Sequence, residues 1–143
     1  MNEIGVILIS HGYFAKYAMD SAEMIIGKQE NYKVISVTDD KDLEDVIKEL
    51  EDSYNVLSKG REVVVLTDIF GGTPCNAASR LILSGKKLTA YTGFNLPVLL
   101  ELLLNRDKPL SEVKLGLEKV HNETFISISD RVLNKLNEDE IVL

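Results

Sequence analysis

Gly5-Val6-Ile7-Leu8-Ile9-Ser10-His11-Gly12 is a short, almost continuous apolar run that ends in a polar residue, a histidine and a glycine. A strand with only one buried face would alternate apolar and polar residues. This run does not, so it predicts a strand buried on both faces, as in a parallel sheet. Ala15 to Ile26 then reads as a helix, with Ala18, Ala22, Ile25 and Ile26 in an apolar stripe and Gly27 at the stop position. The same strand-helix pair recurs three times. Tyr32 to Val37 predicts a second strand, and Asp39 or Asp40 a cap for a helix bearing Leu43, Val46, Ile47, Leu50, Tyr54 and Leu57 that Gly60 ends. Val63 to Leu66 is followed by a helix over Asn76 to Leu83, and Leu88 to Thr92 by one from about Pro97 to Leu104. Four such units in series predict a doubly wound α/β domain with helices on both faces, because parallel strands need right-handed crossovers that pack back on the sheet.

Beyond Asp107 the rhythm changes. Ser111 is placed to cap a helix through about Val120, and Phe125-Ile126-Ser127-Ile128-Ser129 alternates like an antiparallel edge strand. The last residues, through Asp139-Glu140-Ile141-Val142-Leu143, are open between a tail and a terminal strand pairing in its own sheet or a neighbour's. With 143 residues and no repeat or linker, the expectation is a single domain over 1–143, with 130–143 as its tail.

Composition narrows the functions. Sixteen Lys and Arg stand against 23 Asp and Glu, a net charge of −7, which argues against a broad basic face for nucleic acid. The apolar run Leu96 to Leu100 stops at Glu101, well short of the ~20 residues of a membrane helix, so no direct membrane insertion is expected. The single Cys75 can form no internal disulfide and no export leader is readable, which makes the cytoplasm the expected compartment. Two histidines and one cysteine are few ligands for zinc, and neither a metal nor another cofactor is expected.

In open parallel sheets, ligands and chemistry gather beyond the carboxyl ends of the strands. There the sequence places Ser10, His11 and Gly12 after the first strand, Asp68 and Phe70-Gly71-Gly72-Thr73-Pro74 after the third, and Gly93-Phe94-Asn95-Leu96-Pro97 after the fourth. His11 is the candidate nucleophile. If the sheet runs 2-1-3-4, the first and third strands are neighbours, and Asp68 can hold one ring N–H and leave the other nitrogen's lone pair outward. Gly71, Gly72 and Thr73 precede a helix and fit a phosphoryl seat of backbone N–H groups and a hydroxyl. Taken alone, a glycine pair before a helix is a tight turn, and Asp68 reads equally well as a cap. Neither a Walker loop nor a dinucleotide fingerprint is present. Tyr13, Phe14, Phe70 and Phe94 are placed to exclude water or meet a partner, and His121 reads as a solvated helix end.

Together these three segments, with Leu66 to Ala78 as the longest, resemble the enzyme IIA component of the mannose-type (mannose/fructose/sorbose) phosphoenolpyruvate-dependent sugar phosphotransferase system, over residues 1 to about 128. The resemblance implies a cytoplasmic phosphocarrier. His11 would accept a phosphoryl group from HPr on its outer ring nitrogen, Asp68 would hold the inner one, and the group would pass to the IIB subunit of the same permease. It also implies a homodimer that exchanges a C-terminal strand, here Phe125 to Ser129. Thr73 stands where the family often has serine, and 130–143 replaces the linker of fused IIA–IIB chains, so IIB is expected as a separate chain. Three alternatives carry weight beside it. The phosphotransfer subunit of a dihydroxyacetone kinase system has a similar histidine but fits Gly71 to Pro74 less well. A histidine phosphatase or mutase would want Arg before the histidine, and residue 10 is Ser. A non-catalytic regulatory module would leave His11 unmodified.

Overall fold

The computed structural model describes residues 2–139. Its elements are β1 (Gly5–His11), α1 (Phe14–Ile26), β2 (Tyr32–Val37), α2 (Leu43–Leu57), β3 (Val63–Thr67), α3 (Gly72–Leu83), β4 (Leu88–Thr92), α4 (Leu96–Leu104), α5 (Leu110–Glu123) and α6 (Ile128–Asp139). The strands form one parallel sheet in the order β2-β1-β3-β4, with Val6 opposite Val64, Ile9 opposite Thr67 and Thr67 opposite Thr92.

Side chains alternate across a strand, so an unbroken apolar strand must have cover on both sides. Val6 and Leu8 of β1, with Val64 and Leu66 of β3, pack under Ala15, Met19 and Ala22 of α1, Leu99 and Leu102 of α4 and Val113 and Leu117 of α5. The intervening Ile7, Ile9, Val63 and Val65 face Val46 and Leu50 of α2 and Ala77, Ala78 and Leu81 of α3. The two central strands are thereby sealed, and β1 keeps only its last residue, His11, in contact with solvent.

Several local expectations give way to better hydrogen bonds. The α2 cap is Asp42, not Asp39 or Asp40: its side chain accepts from the Asp45 N–H at 2.9 Å, while Asp45 accepts from the Asp42 N–H at 3.0 Å. This reciprocal box satisfies two otherwise orphaned donors. Asp40 instead accepts from the Thr38 hydroxyl. Helix α5 starts at Leu110 behind Pro109 and is not capped by Ser111. The expected antiparallel edge strand over Phe125 to Ser129 is absent from this chain. Ser127 starts α6 instead, accepting the Asp130 N–H on its hydroxyl at 3.0 Å and the Arg131 N–H on its carbonyl at 3.2 Å. Period-two alternation specifies a strand only where a neighbour supplies ladder bonds; without one, the Ser127 cap decides. The tail beyond 130 is helical through Asp139, and the suggested terminal strand over 140–143 lies outside the described residues.

At the opposite end of the sheet from His11, Arg106 is buried with 4% exposure. Its guanidinium donates to the carbonyls of Ile4 at 2.8 Å, Glu30 at 2.7 Å and Asn31 at 2.7 Å. It thus ties the end of α4 to the entries of β1 and β2. The sequence pattern shows no sign of this lock, because a lone arginine after a leucine-rich helix reads as a surface charge.

Candidate functional site

The parallel pairing of β1 with β3 brings the ends of the two strands together, as the neighbour argument requires. The Asp68 Oδ2 atom accepts two hydrogen bonds from one residue: the His11 backbone N–H at 2.9 Å and the His11 ring at Nδ1, also 2.9 Å. An ionised carboxylate only accepts, so Nδ1 carries the ring proton and the Nε2 lone pair is left outward. The His11 side chain is 49% exposed while that of Asp68 is 13% exposed. The carboxylate sits behind the ring and the ring faces solvent. Burial alone would raise the Asp68 pKa, but the hydrogen bonds from the His11 N–H, the His11 ring and the Ile69 N–H outweigh it and hold the carboxyl below its ordinary value.

Gly71 and Gly72 have φ of +82° and +74°, a region that favours glycine. Gly72 also has a spatial reason. A Cβ built there would lie 3.2 Å from both Cε1 and Nε2 of His11. The backbone entering α3 is therefore packed against the open nitrogen, and no side chain caps that helix. The entry to α3 carries unpaired first-turn N–H groups and the positive end of the helix dipole, with Thr73 next in the turn.

The remaining rim residues shape loops. Ser10 is fully buried; its hydroxyl accepts from the Ala15 N–H at 2.8 Å and donates to the Gly12 carbonyl at 3.3 Å, closing the turn into α1. Gly12 takes φ +56° in that turn, and its N–H donates to the Val37 carbonyl at 2.8 Å. Asn95 caps α4, accepting the Val98 N–H at 2.9 Å. Phe70 is 85% exposed. The rings of Phe14 and Phe94 meet at 5.4 Å, and with Tyr13, Tyr17 and Asn95 they line an open cavity of about 750 Å³ at the start of α1 and α4. His121 lies apart, by a smaller cleft with Tyr91 and Glu118. There the Tyr91 hydroxyl is pushed up to about 12 by burial, by its hydrogen bond to Glu118 and by that carboxylate's charge.

The sequence pattern missed the pair of hydrogen bonds that the His11 backbone and ring donate to one carboxylate oxygen, and the close approach of Gly72 to Nε2. Neither has a linear signature: the first depends on strand pairing, and the second on the path of a loop.

Comparisons with known proteins place the chain in a family. Residues 5–116 match the family model for the phosphotransferase system (PTS) fructose IIA component. The chain belongs to the mannose-type family of PTS IIA components. It is 29% identical over 136 residues to the sorbose-specific EIIA component of Lacticaseibacillus casei, covering 94% of this chain and 98% of that one. Identity with the mannose-specific EIIAB component of Escherichia coli K12 is 33% over 104 residues, 73% of this chain but only 32% of the longer relative. Among solved structures, the PTS IIA protein associated with the fucose utilization operon of Streptococcus pneumoniae superposes with a TM-score of 0.82 at 26% identity, covering 91% of this chain and 96% of that one. As a IIA component the chain is a phosphotransferase subunit of a sugar transport system. No helix among the described residues is long and apolar enough to cross a membrane.

Proposed function

We propose that this IIA chain is a cytoplasmic phosphocarrier in which His11 Nε2 takes a phosphoryl group from phospho-HPr and gives it to a separate IIB subunit. The observation that carries the reading is the pinning of Nδ1 by Asp68 while Nε2 stands open against the glycine entry to α3. In the first step the Nε2 lone pair attacks phosphorus and an N–P bond forms. The N–P bond of the donor phosphohistidine breaks, and its electron pair returns to the donor ring. The ring proton stays on Nδ1 throughout, and Asp68 balances the positive charge that attack places on the imidazole. Phosphoryl transfer has a loose transition state with charge spread over the equatorial oxygens, so alignment and charge stabilisation are the main demands. The N–H groups at Gly71, Gly72 and Thr73 supply the second and the pinned ring the first. Transfer to IIB is the same reaction in reverse with a new acceptor.

The exposed aromatics Tyr13, Phe14 and Tyr17, with Phe70, form the face on which partners dock and exclude water. The reading includes one phosphocarrier domain with 130–143 as its tail, and a homodimer. Phe125, Ile126 and Ile128 are exposed in the single chain and β4 has an open edge, so each copy offers what the other can cover. Sedimentation at micromolar concentration as a dimer supports this part, and a monomer contradicts it.

The test of the carrier role is incubation with phosphoenolpyruvate, enzyme I and HPr, followed by intact mass. Wild type gains one phosphoryl group and His11→Ala gains none; an unmodified wild type, or a labelled His11→Ala, overturns the proposal.

A further inference from the structure

At the far end of the sheet from His11, the chain builds another cavity, of about 350 Å³. Its walls come from Gly60, Arg61 and Glu62 before β3, Ile4 before β1, and Arg106, Lys108, Pro109 and Leu110 between α4 and α5. Three cations and a single carboxylate line it, in a chain whose net charge is −7.

Three features of these walls converge. First, Arg61 has a buried Nε with no acceptor, and among the described residues its guanidinium forms no ion pair. A buried donor left unpaired is costly, and a bound acceptor would remove the cost. Second, Arg106 is fixed by its three backbone carbonyls, with Glu3 at 3.7 Å as its only carboxylate neighbour within ion-pair distance among the described residues. Burial holds its pKa below the ordinary guanidinium value; Glu3 works against that, and the charge of Arg61 adds to it. Arg61 and Arg106 both line this cavity, so two like charges share it. Third, α5 opens here: its first residue Leu110 follows Pro109, which offers no side-chain cap; the Pro109 carbonyl accepts the Glu112 and Val113 N–H groups at 3.0 Å, which leaves those of Leu110 and Ser111 as the orphan donors of the first turn.

We propose that this cavity is a binding site for a small phosphate-bearing anion, held by Arg61, Lys108 and the N-terminus of α5 with Arg106 as the fixed charge behind them. A guanidinium fork, an ammonium and helix N–H groups are together a donor set that suits a phosphate-type oxyanion. The volume admits orthophosphate or a compact phosphate monoester. Because Arg106 also secures the entries of β1 and β2, an anion here would be felt at the base of the strand that carries His11, and occupancy would stabilise the fold by linkage.

Amide NMR titration of the full chain at constant ionic strength tests the proposal, with orthophosphate, glucose 6-phosphate and acetate as probes. Wild type is expected to show saturable shifts at Gly60 to Glu62 and Lys108 to Ser111 with the two phosphates, at millimolar concentration or below. Arg61→Gln should weaken them about tenfold, and Lys108→Gln should weaken them less. His11→Ala should leave them unchanged, which separates this site from the phosphocarrier reading. Tighter binding of glucose 6-phosphate assigns the site to monoesters, and tighter orthophosphate to the free ion. The proposal is overturned if shifts are confined to Gly71 to Thr73, if acetate matches the phosphates, or if a folded Arg61→Gln binds as wild type does.

Discussion

Replacing Gly72 by alanine separates backbone strain from obstruction of the nucleophile. At φ +74° a side chain pays a conformational penalty of roughly 1–2 kcal/mol. In a domain of this size that lowers Tm by roughly 3–10 °C. The added methyl would also lie 3.2 Å from Cε1 and Nε2 of His11, closer than ordinary van der Waals contact. Relief requires the ring to turn, which lengthens its 2.9 Å bond to Asp68, an interaction to a charged group whose net worth is about 1.5–3 kcal/mol. Losing even the lower part of that in the transfer step slows it about tenfold. Gly85→Ala is the matched control. It has φ +97°, nothing within 4 Å of the added Cβ, and a position remote from the histidine. Thermal melts and an HPr-dependent phosphorylation time course, read by intact mass, should show both variants destabilised and only Gly72→Ala slowed about tenfold or more. Wild-type rates in Gly72→Ala, or an equal slowing in Gly85→Ala, would refute the crowding argument.

Asp68→Asn should retain the fold and slow phosphorylation by about tenfold or more, since the amide holds the ring without its charge; an unchanged time course would exclude the carboxylate from the mechanism. The same pair gives a pH test. The folded-state pKa of Asp68 is depressed, so its stabilisation is present above the ordinary carboxylate range and lost as pH falls through the folded value. The Tm advantage of wild type over Asp68→Asn should therefore shrink as pH falls below about 5, and a constant or growing advantage there would contradict the assignment. Ser10→Ala removes the acceptor for the Ala15 N–H and should cost about 1 kcal/mol in urea unfolding with His11 still phosphorylated. Arg106→Leu strands three carbonyls and should cost about 3–5 kcal/mol in the same assay; a loss below about 1 kcal/mol would show that water replaces the guanidinium.

The sheet was legible because β1 and β3 are apolar at odd and even positions alike, and only a strand covered on both faces has that composition. His11 with Asp68 was legible for a derived reason. Once the order 2-1-3-4 is assumed, neighbouring strand ends must meet, and the structure joins them through Oδ2. Ser10 and Asn95 were placed at the right rim but work as turn and cap residues, since a short polar side chain at a strand end looks the same in either role. The segment at Phe125 to Ser129 misleads because alternation describes which faces are apolar, not whether a neighbouring strand exists. The Asp42 cap was missed because four aspartates lie within seven residues of that helix start, and only the path of the loop selects one of them. Arg106 and the cavity beside it leave no trace in sequence, being assembled from segments about a hundred positions apart.

The most direct test is the identity of the modified atom. Nitrogen and phosphorus NMR of the phosphorylated chain, with ring-nitrogen couplings assigned to His11, should place the phosphoryl group on Nε2 with Nδ1 still protonated. A group on Nδ1, on His121 or on any hydroxyl would contradict the account, because the carboxylate of Asp68 would then not be what leaves the outer nitrogen free.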